Sequence, residues 1–212
     1  MSGREKGAPG ERGPAGRGRY HHGGLRDALI ETAAELLGEG GAAAFSMAEA
    51  SRRLGVAPSA PYRHFPDRDA LLAAVAVRAA GLLGERLGRE AASGPPEQRL
   101  AGAAAAYVRF ADEQRALFLA LTGSGLDKDR HPEIARAAQP VAAVFLSAAA
   151  GVAGGDQAAA ARLVSAVVAT AHGHAALLLD GTFGSGPEAP AAAARQAAAA
   201  ALALVAGRQA LA

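Results

Sequence analysis

The stretch from Ser46 to Phe65 constrains this chain more than any other, because it encodes two short helices around a tight turn. Ser46 and Glu49 form a capping box, in which the hydroxyl accepts from the third backbone N–H and the carboxylate returns to the cap. A helix is therefore predicted to begin at Met47. Gly55 is predicted to end it, since glycine tolerates the left-handed conformation at a helix C-terminus.

Helical spacing assigns two faces to this first short helix. Met47, Ala50 and Leu54 recur on one face, which is predicted to be buried. The remaining side chains are expected to point away from the core: Glu49, Ser51, Arg52 and Arg53.

The second short helix is predicted to begin between Ala57 and Ser59, and two starts are compatible with the sequence. With Ala57 as the cap, Pro61 deletes the first intrahelical hydrogen bond. With Ser59 as the cap, Pro61 lies in the free first turn and costs little. The second start, or a first turn that is partly 3₁₀, is favoured for that reason.

An exposed polar surface is predicted on this second helix. Tyr62, Arg63 and His64 offer a phenol, a guanidinium and an imidazole, whereas Phe65 returns to the core. Such groups suit phosphate and base-edge contacts in a DNA major groove. A helix, a glycine-containing turn and a short helix with this surface form the helix-turn-helix pattern.

The sequence YRHFPDRDALLAAV, which begins at Tyr62, closely resembles the signature that ends the DNA-binding domain of the TetR/AcrR family of transcriptional regulators. That signature is Tyr-x-His-Phe followed by x-Asp/Asn-Lys-Glu-x-Leu. The matching positions are Tyr62, His64, Phe65, Asp67, Arg68 and Leu71. The resemblance extends over about residues 20–77. Ala57, Pro61 and Arg68 stand where the family usually has Ser, Leu and Lys.

The resemblance implies an all-α fold with an N-terminal three-helix helix-turn-helix DNA-binding domain and a C-terminal helical domain for ligand binding and dimerisation. The corresponding ranges are 20–68 and 69–212. The expected DNA contacts are Ser46, Pro58, Ser59, Ala60, Tyr62, Arg63, His64 and Arg68. The implied function is a homodimeric repressor that a small-molecule effector releases from a palindromic double-stranded DNA operator.

The rest of the chain also predicts helices, because no segment alternates with period two over a useful length. The first helix is predicted at Leu25–Leu37, ended by Gly38, Gly40 and Gly41. A long fourth helix, capped by Asp67, is predicted to run to about Arg89. Later helices are predicted at Glu97–Asp112, Glu113–Leu121, Pro132–Val152, Asp156–Leu179 and Glu188–Ala206.

The last two predicted helices are rich in Ala, Val and Leu, and each would expose a large apolar surface if left alone. In the TetR family the last two helices pair with their symmetry mates, so a homodimer is implied here.

The segment Leu163–Leu179 is apolar enough to suggest a membrane span. His172 and His174 within it and charges on both flanks favour a buried helix instead.

The segment ATAHGHAALLLDG, from Ala169 to Gly181, resembles the His-Gly motif of a TetR subgroup that carries a Trp-His-Gly set. His172 and Gly173 match, and Val168 occupies the Trp position. His172 could bind an effector, or it could be a buried histidine that joins two helices. The candidate effector pocket comprises Tyr107, Phe110, Phe118, Phe145 and His172, although aromatic side chains at helical spacing are more often simple core.

The amino-acid composition excludes some of the other functions that an all-α chain could have. The chain has no Cys, which excludes disulfides and thiolate chemistry and fits a cytoplasmic protein without an apolar leader. No cofactor is expected, and no metal site, either at His21–His22 or among His131, His172 and His174. The rival function is an all-α sensor or enzyme without DNA binding, but no nucleophile–base pair stands at a recognisable spacing.

Residues 1–19 are interpreted as a disordered basic arm, which either contacts DNA or is simply solvated.

Overall fold

Helices account for all the regular secondary structure in the part of the chain that the computed structural model describes, residues 22–123, 125–127 and 129–211. This confirms the all-α prediction. The α-helices are α1 (His22–Ala44), α2 (Met47–Leu54), α3 (Arg68–Glu90), α4 (Pro96–Glu113), α5 (Arg115–Gly123), α6 (Pro132–Ala137), α7 (Gln139–Val152), α8 (Gln157–Leu179) and α9 (Ala189–Ala206). Two short 3₁₀ helices lie at Pro61–Arg63 and Arg208–Leu211. The predicted arm lies outside the described residues.

The first helix is longer than its glycines predicted. Gly38 and Gly40 remain within α1, and the helical path is interrupted at Gly41, whose φ is 69° and ψ is −173°. Gly38 is explained by packing, since a Cβ there would lie 2.9 Å from the Cβ of Ala116 on α5. The prediction that Gly38 ends the helix is therefore wrong, because that glycine permits a close helix–helix approach.

Helix α2 begins and ends as predicted. The Ser46 Oγ accepts from the backbone N–H of Glu49 at 3.1 Å, and Gly55 adopts the left-handed conformation with φ 63°. The Glu49 carboxylate does not return to the cap, because it accepts instead from Arg52 at 2.6 and 2.9 Å. Ser51 is buried, contrary to prediction, since its hydroxyl donates to the Met47 carbonyl at 2.9 Å and so needs no solvent.

The helix predicted over Pro132–Val152 is two helices that meet at Ala138. Pro140 explains the break, because it has no N–H to donate to the carbonyl of residue 136. The short α6 packs against α3, and α7 packs against α3, α4 and α8.

Helix α3 links the helix-turn-helix region to the later helices, as the sequence predicted for its fourth helix. Asp67 caps it by accepting from the Ala70 N–H at 2.8 Å. Its buried face includes Leu71, Leu72, Leu83 and Leu87. The helix packs against α1 and against the later helices α4, α5, α6 and α7. Movement of α3 would therefore be felt by both parts of the chain.

Helices α8 and α9 lie against α4 and against each other. Both are long and apolar enough to cross a membrane by length and composition, a test that core helices of soluble proteins also pass. Only 28% and 22% of their most apolar windows are buried within the chain. One face of each helix is therefore core, and the other is open.

Candidate nucleic-acid interface and helical core

The second element of the helix-turn-helix is a pair of 3₁₀-type turns and not an α-helix. The Ala60 N–H donates to the Ala57 carbonyl at 2.9 Å, and the His64 N–H donates to the Pro61 carbonyl at 2.9 Å. In an α-helix the Ala57 carbonyl would accept from residue 61, but Pro61 has no N–H. Neither Ala57 nor Ser59 caps the element, so both predicted starts are wrong. The expected 3₁₀ turn is present, but no α-helix follows it before Arg68.

Residues 57–64, called here the recognition turn, have buried side chains on one side and solvent-exposed side chains on the other. Pro61 and the following Phe65 are buried. Tyr62 is 55% exposed, and Arg63 is also exposed. The other candidate contacts in this segment divide in the same way, with Pro58 and Ser59 exposed and Ala60 and His64 half-buried. Tyr62 and Arg63 are therefore accessible to a nucleic acid, as are Pro58 and Ser59.

Ser46 and Arg68 lie at the N-termini of α2 and α3. Ser46 is exposed. Arg68 is half-buried, and its Nε donates to the Phe45 carbonyl at 3.3 Å while its guanidinium lies 5.5 Å from the centre of the Phe45 ring. Arg68 therefore also ties the first turn of α3 to the linker between α1 and α2. Sequence reasoning missed this role because Phe45 lies 23 residues away.

The arginines of α2 carry their own counter-charges. Arg53 binds Glu39 of α1 through two hydrogen bonds of 2.8 and 2.5 Å, and Arg52 binds Glu49. The hydrogen bond from Arg53 lowers the pKa of Glu39, and that from Arg52 lowers the pKa of Glu49. The positive charge of these two arginines is thus largely balanced on the surface of the protein.

Three of the five side chains proposed for an effector pocket form a cluster, in which Tyr107 and Phe118 are buried and His172 is half-buried. The Tyr107 hydroxyl lies 3.1 Å from His172 Nδ1, and the Phe118 ring stacks on His172 at 5.7 Å. Burial raises the pKa of Tyr107 to about 12. This cluster joins α4, α5 and α8, which is the arrangement expected of a histidine that links helices.

Phe110 and Phe145 are buried in the same core. Five cavities of the described chain, of about 280 to 640 Å³, are lined by other residues. The role of the aromatic side chains as an effector pocket stays a prediction.

The described residues bring no three His, Cys, Asp or Glu side chains together as metal ligands. His131 instead lies 3.1 Å from Glu133, and His174 Nδ1 lies 2.8 Å from the Thr170 carbonyl. The pair His21–His22 lies outside the side chains that the structure describes. His131 and His174 thus each have a polar partner in their own stretch of the chain.

The open surface of α8 and α9, called here the α8–α9 face, includes Ala161, Ser165, Ala169, Leu177, Ala199 and Leu202. Leu177 and Leu202 are among the most exposed large apolar side chains of the described chain. In contrast, Leu178 packs inside the chain. The sequence alone did not single out Leu177 and Leu202, because both helices are apolar almost all round and give little indication of which side is covered.

A helix-turn-helix with an exposed recognition turn, joined by one long helix to a helical domain, defines a DNA-binding transcriptional regulator. Residues 29–75 match the family model for bacterial regulatory proteins of the tetR family. Residues 100–202 match the tetracyclin repressor-like C-terminal domain, a range that includes His172 and Gly173. The chain belongs to the TetR family.

Solved structures share this fold over most of their length. A Rhodococcus sp. RHA1 protein of unknown function is 28% identical, with a TM-score of 0.68, and the match covers 86% of this chain and 98% of that one. The TetR family transcriptional regulator PfmR from Thermus thermophilus is 18% identical, with a TM-score of 0.66 and coverages of 82% and 97%. A tetR-family regulatory protein from Rhodococcus RHA1 is 21% identical, with a TM-score of 0.64 and coverages of 85% and 96%. No curated protein matches the chain significantly.

Proposed function

We propose that this regulator is a cytoplasmic homodimeric repressor, which binds a palindromic operator and is released from it by a small-molecule effector. Residues 20–68 would bind DNA, and residues 69–212 would bind the effector and form the dimer. The observation that carries the proposal is the recognition turn, which is anchored by buried Pro61 and Phe65 and presents Tyr62 and Arg63 to solvent.

The DNA contacts are proposed to divide into base contacts and phosphate contacts. Tyr62 and Arg63 are proposed to reach base edges, since both are exposed on the turn and carry groups that can hydrogen-bond to bases. Ser46 and Arg68 lie at helix N-termini, where backbone N–H groups and the helix dipole favour a phosphate. The remaining proposed contacts flank these in the recognition turn: Pro58, Ser59, Ala60 and His64.

The dimer is proposed to form through the α8–α9 face. Soluble monomers rarely expose a large contiguous apolar patch, and two helices of mean hydropathy 1.3 are each open on one side here. A two-fold axis through this face would give a pair of recognition turns. Such a pair fits half-sites about one DNA turn apart on a palindromic operator.

The effector is proposed to act by opening the cluster of Tyr107, Phe118 and His172. A small apolar molecule with a polar group could enter between α4, α5 and α8, and exchange the Tyr107–His172 hydrogen bond for one of its own. Helices α4 and α5 both contact α3, so the change would reach the DNA-binding domain. By linkage, the effector and the operator would weaken each other's binding equally, typically by about 1–3 kcal/mol.

The test begins with selection of genomic fragments by the purified protein, which returns the operator together with its neighbouring genes. Fluorescence anisotropy on that operator then compares Arg63→Ala with the parent. We expect a loss of about 1–3 kcal/mol for a good base contact. Arg89→Ala is the control, because Arg89 is exposed near the far end of α3 and should leave affinity unchanged. Equal affinity of Arg63→Ala and parent would refute the assigned interface.

A further inference from the structure

A cavity of about 380 Å³ lies where the connection between α7 and α8 meets the 3₁₀ helix Arg208–Leu211. Residues 152–156 form one side of it, and the 3₁₀ helix, which packs against α8, forms another. The volume lies within the range of small-molecule sites. The five side chains proposed for the effector pocket line other parts of the chain, so this cavity is a separate space.

The inner lining of this cavity is apolar. Leu163 of α8 is buried, and Val152 and Leu211 are half-buried. The small side chains of Ala153 and Ala159 lie beside them and leave room for a ligand. An apolar group placed here would leave water, which favours its binding.

The outer lining carries two arginines, Arg162 of α8 and Arg208 of the 3₁₀ helix, and both are exposed. Within the described residues, neither guanidinium pairs with a carboxylate. Arg208 donates from Nη1 to the Val205 carbonyl at 3.1 Å, and Arg162 makes no hydrogen bond or ion pair in that part of the chain. Elsewhere Arg53 and Arg86 bind carboxylates directly. The two cavity arginines are therefore available to an anion.

Asp156 balances only part of this positive charge. It is the single acidic side chain among the described residues that line the cavity. Its Oδ1 caps α8 by accepting from the N–H groups of Ala158 and Ala159, at 2.9 and 3.0 Å. Two arginines and one aspartate leave the lining with a net charge of +1. A bound anion would reduce the repulsion between the two guanidiniums.

We propose that this cavity binds a small amphipathic carboxylate. The carboxylate accepts hydrogen bonds from Arg162 and Arg208, because a planar guanidinium matches the geometry of a carboxylate. The apolar part of the ligand lies against Leu163 and Val152. An inorganic anion would satisfy the arginines but leave the apolar lining uncovered, so the site favours a ligand with both parts. The proposal goes beyond the proposed function, since it requires neither an operator nor the effector pocket.

Isothermal titration calorimetry of the full-length protein tests the class of ligand. The probes are 3-phenylpropionate, its uncharged counterpart 3-phenylpropan-1-ol, and inorganic phosphate as an anion without an apolar part. We expect the carboxylate to bind at least about tenfold more tightly than either of the others, because it alone uses both parts of the lining. Undetectable binding of 3-phenylpropionate at concentrations up to about 10 mM would overturn the proposal. Equal affinity for the alcohol or for phosphate would overturn it as well.

Arg162→Gln and Arg208→Gln test the position of the site. Each should weaken binding of 3-phenylpropionate at least about tenfold, the loss expected for a hydrogen bond to a charged group. Both variants should keep the urea midpoint of the parent, because the exposed guanidiniums form no ion pair with the described chain. Arg195→Gln is the matched control, since Arg195 is exposed on α9 and lines none of the five cavities. Equal weakening by Arg195→Gln would assign the effect to net charge and overturn the site.

Two further variants separate this cavity from the aromatic cluster. Ala159→Leu fills part of the cavity while both arginines remain, so it should also weaken binding, and an unchanged affinity would contradict the proposed position of the apolar part. Tyr107→Phe should leave binding unchanged. Loss of binding in Tyr107→Phe, with normal binding in both arginine variants, would overturn this site and support the effector pocket of the proposed function instead.

Discussion

The proposed dimer makes a quantitative prediction for Leu202 of α9. This side chain remains 42% exposed in the single chain, on the α8–α9 face. If the dimer covers it, Leu202→Ala should weaken association without disturbing the fold of each protomer. The sequence alone would place a disruptive charge equally well at Leu178 or Leu204, but Leu178 is buried within the chain, where an Arg would destabilise folding itself.

The magnitude follows from the exposed fraction. Full burial of a leucine contributes about 1.5–3 kcal/mol, so covering the remaining two-fifths contributes about 1 kcal/mol per copy. Two-fold symmetry counts each position twice, which gives about 2 kcal/mol for the dimer. Each 1.4 kcal/mol corresponds to about a tenfold change, so the dissociation constant should rise roughly 30-fold.

Sedimentation equilibrium at several protein concentrations measures that constant directly. Leu146→Ala is a close control, because Leu146 is 44% exposed but lies on α7, outside the proposed interface. We expect Leu146→Ala to associate like the parent. A parent that remains monomeric at micromolar concentration would refute dimerisation, and equal shifts for the two variants would refute the α8–α9 face as its site.

The remaining predictions concern stability. The pKa of Tyr107 is raised to about 12 by burial, so the folded protein keeps this proton where the unfolded chain loses it. The free energy of unfolding should therefore fall by about 2–3 kcal/mol between roughly pH 10 and 12, as measured by urea denaturation. Tyr107→Phe should remove most of this slope while costing about 1 kcal/mol at neutral pH, whereas Tyr62→Phe, at an exposed position, should retain it. Gly55→Ala should destabilise by about 1–2 kcal/mol, because φ is 63° there; an unchanged urea midpoint would contradict the assigned cap.

Local sequence determined the elements whose start and end depend on neighbouring residues. Ser46 and Gly55 marked the ends of α2 because a cap needs only a side chain and the nearest turn of backbone. Asp67 marked the start of α3 for the same reason. The TetR family was recognisable because its signature combines such local requirements over one continuous stretch.

Tertiary contacts decided the features that the same local rules left open. Gly38 stays helical because Ala116, far along the chain, packs against it, and Arg68 is held by Phe45 across the turn. The exposed sides of α8 and α9 could not be assigned from their sequences, since nearly uniform apolar helices carry no strong periodic signal.

The recognition turn shows both influences. The sequence identified Pro61 as the residue that would disturb an α-helix, because the missing N–H is a local property. The structure decided that the element becomes 3₁₀, with Pro61 and Phe65 buried and Tyr62 outward. The missing N–H of Pro61 limited the conformations that this segment can adopt. Packing in the folded chain then decided which of its side chains are buried and which are exposed.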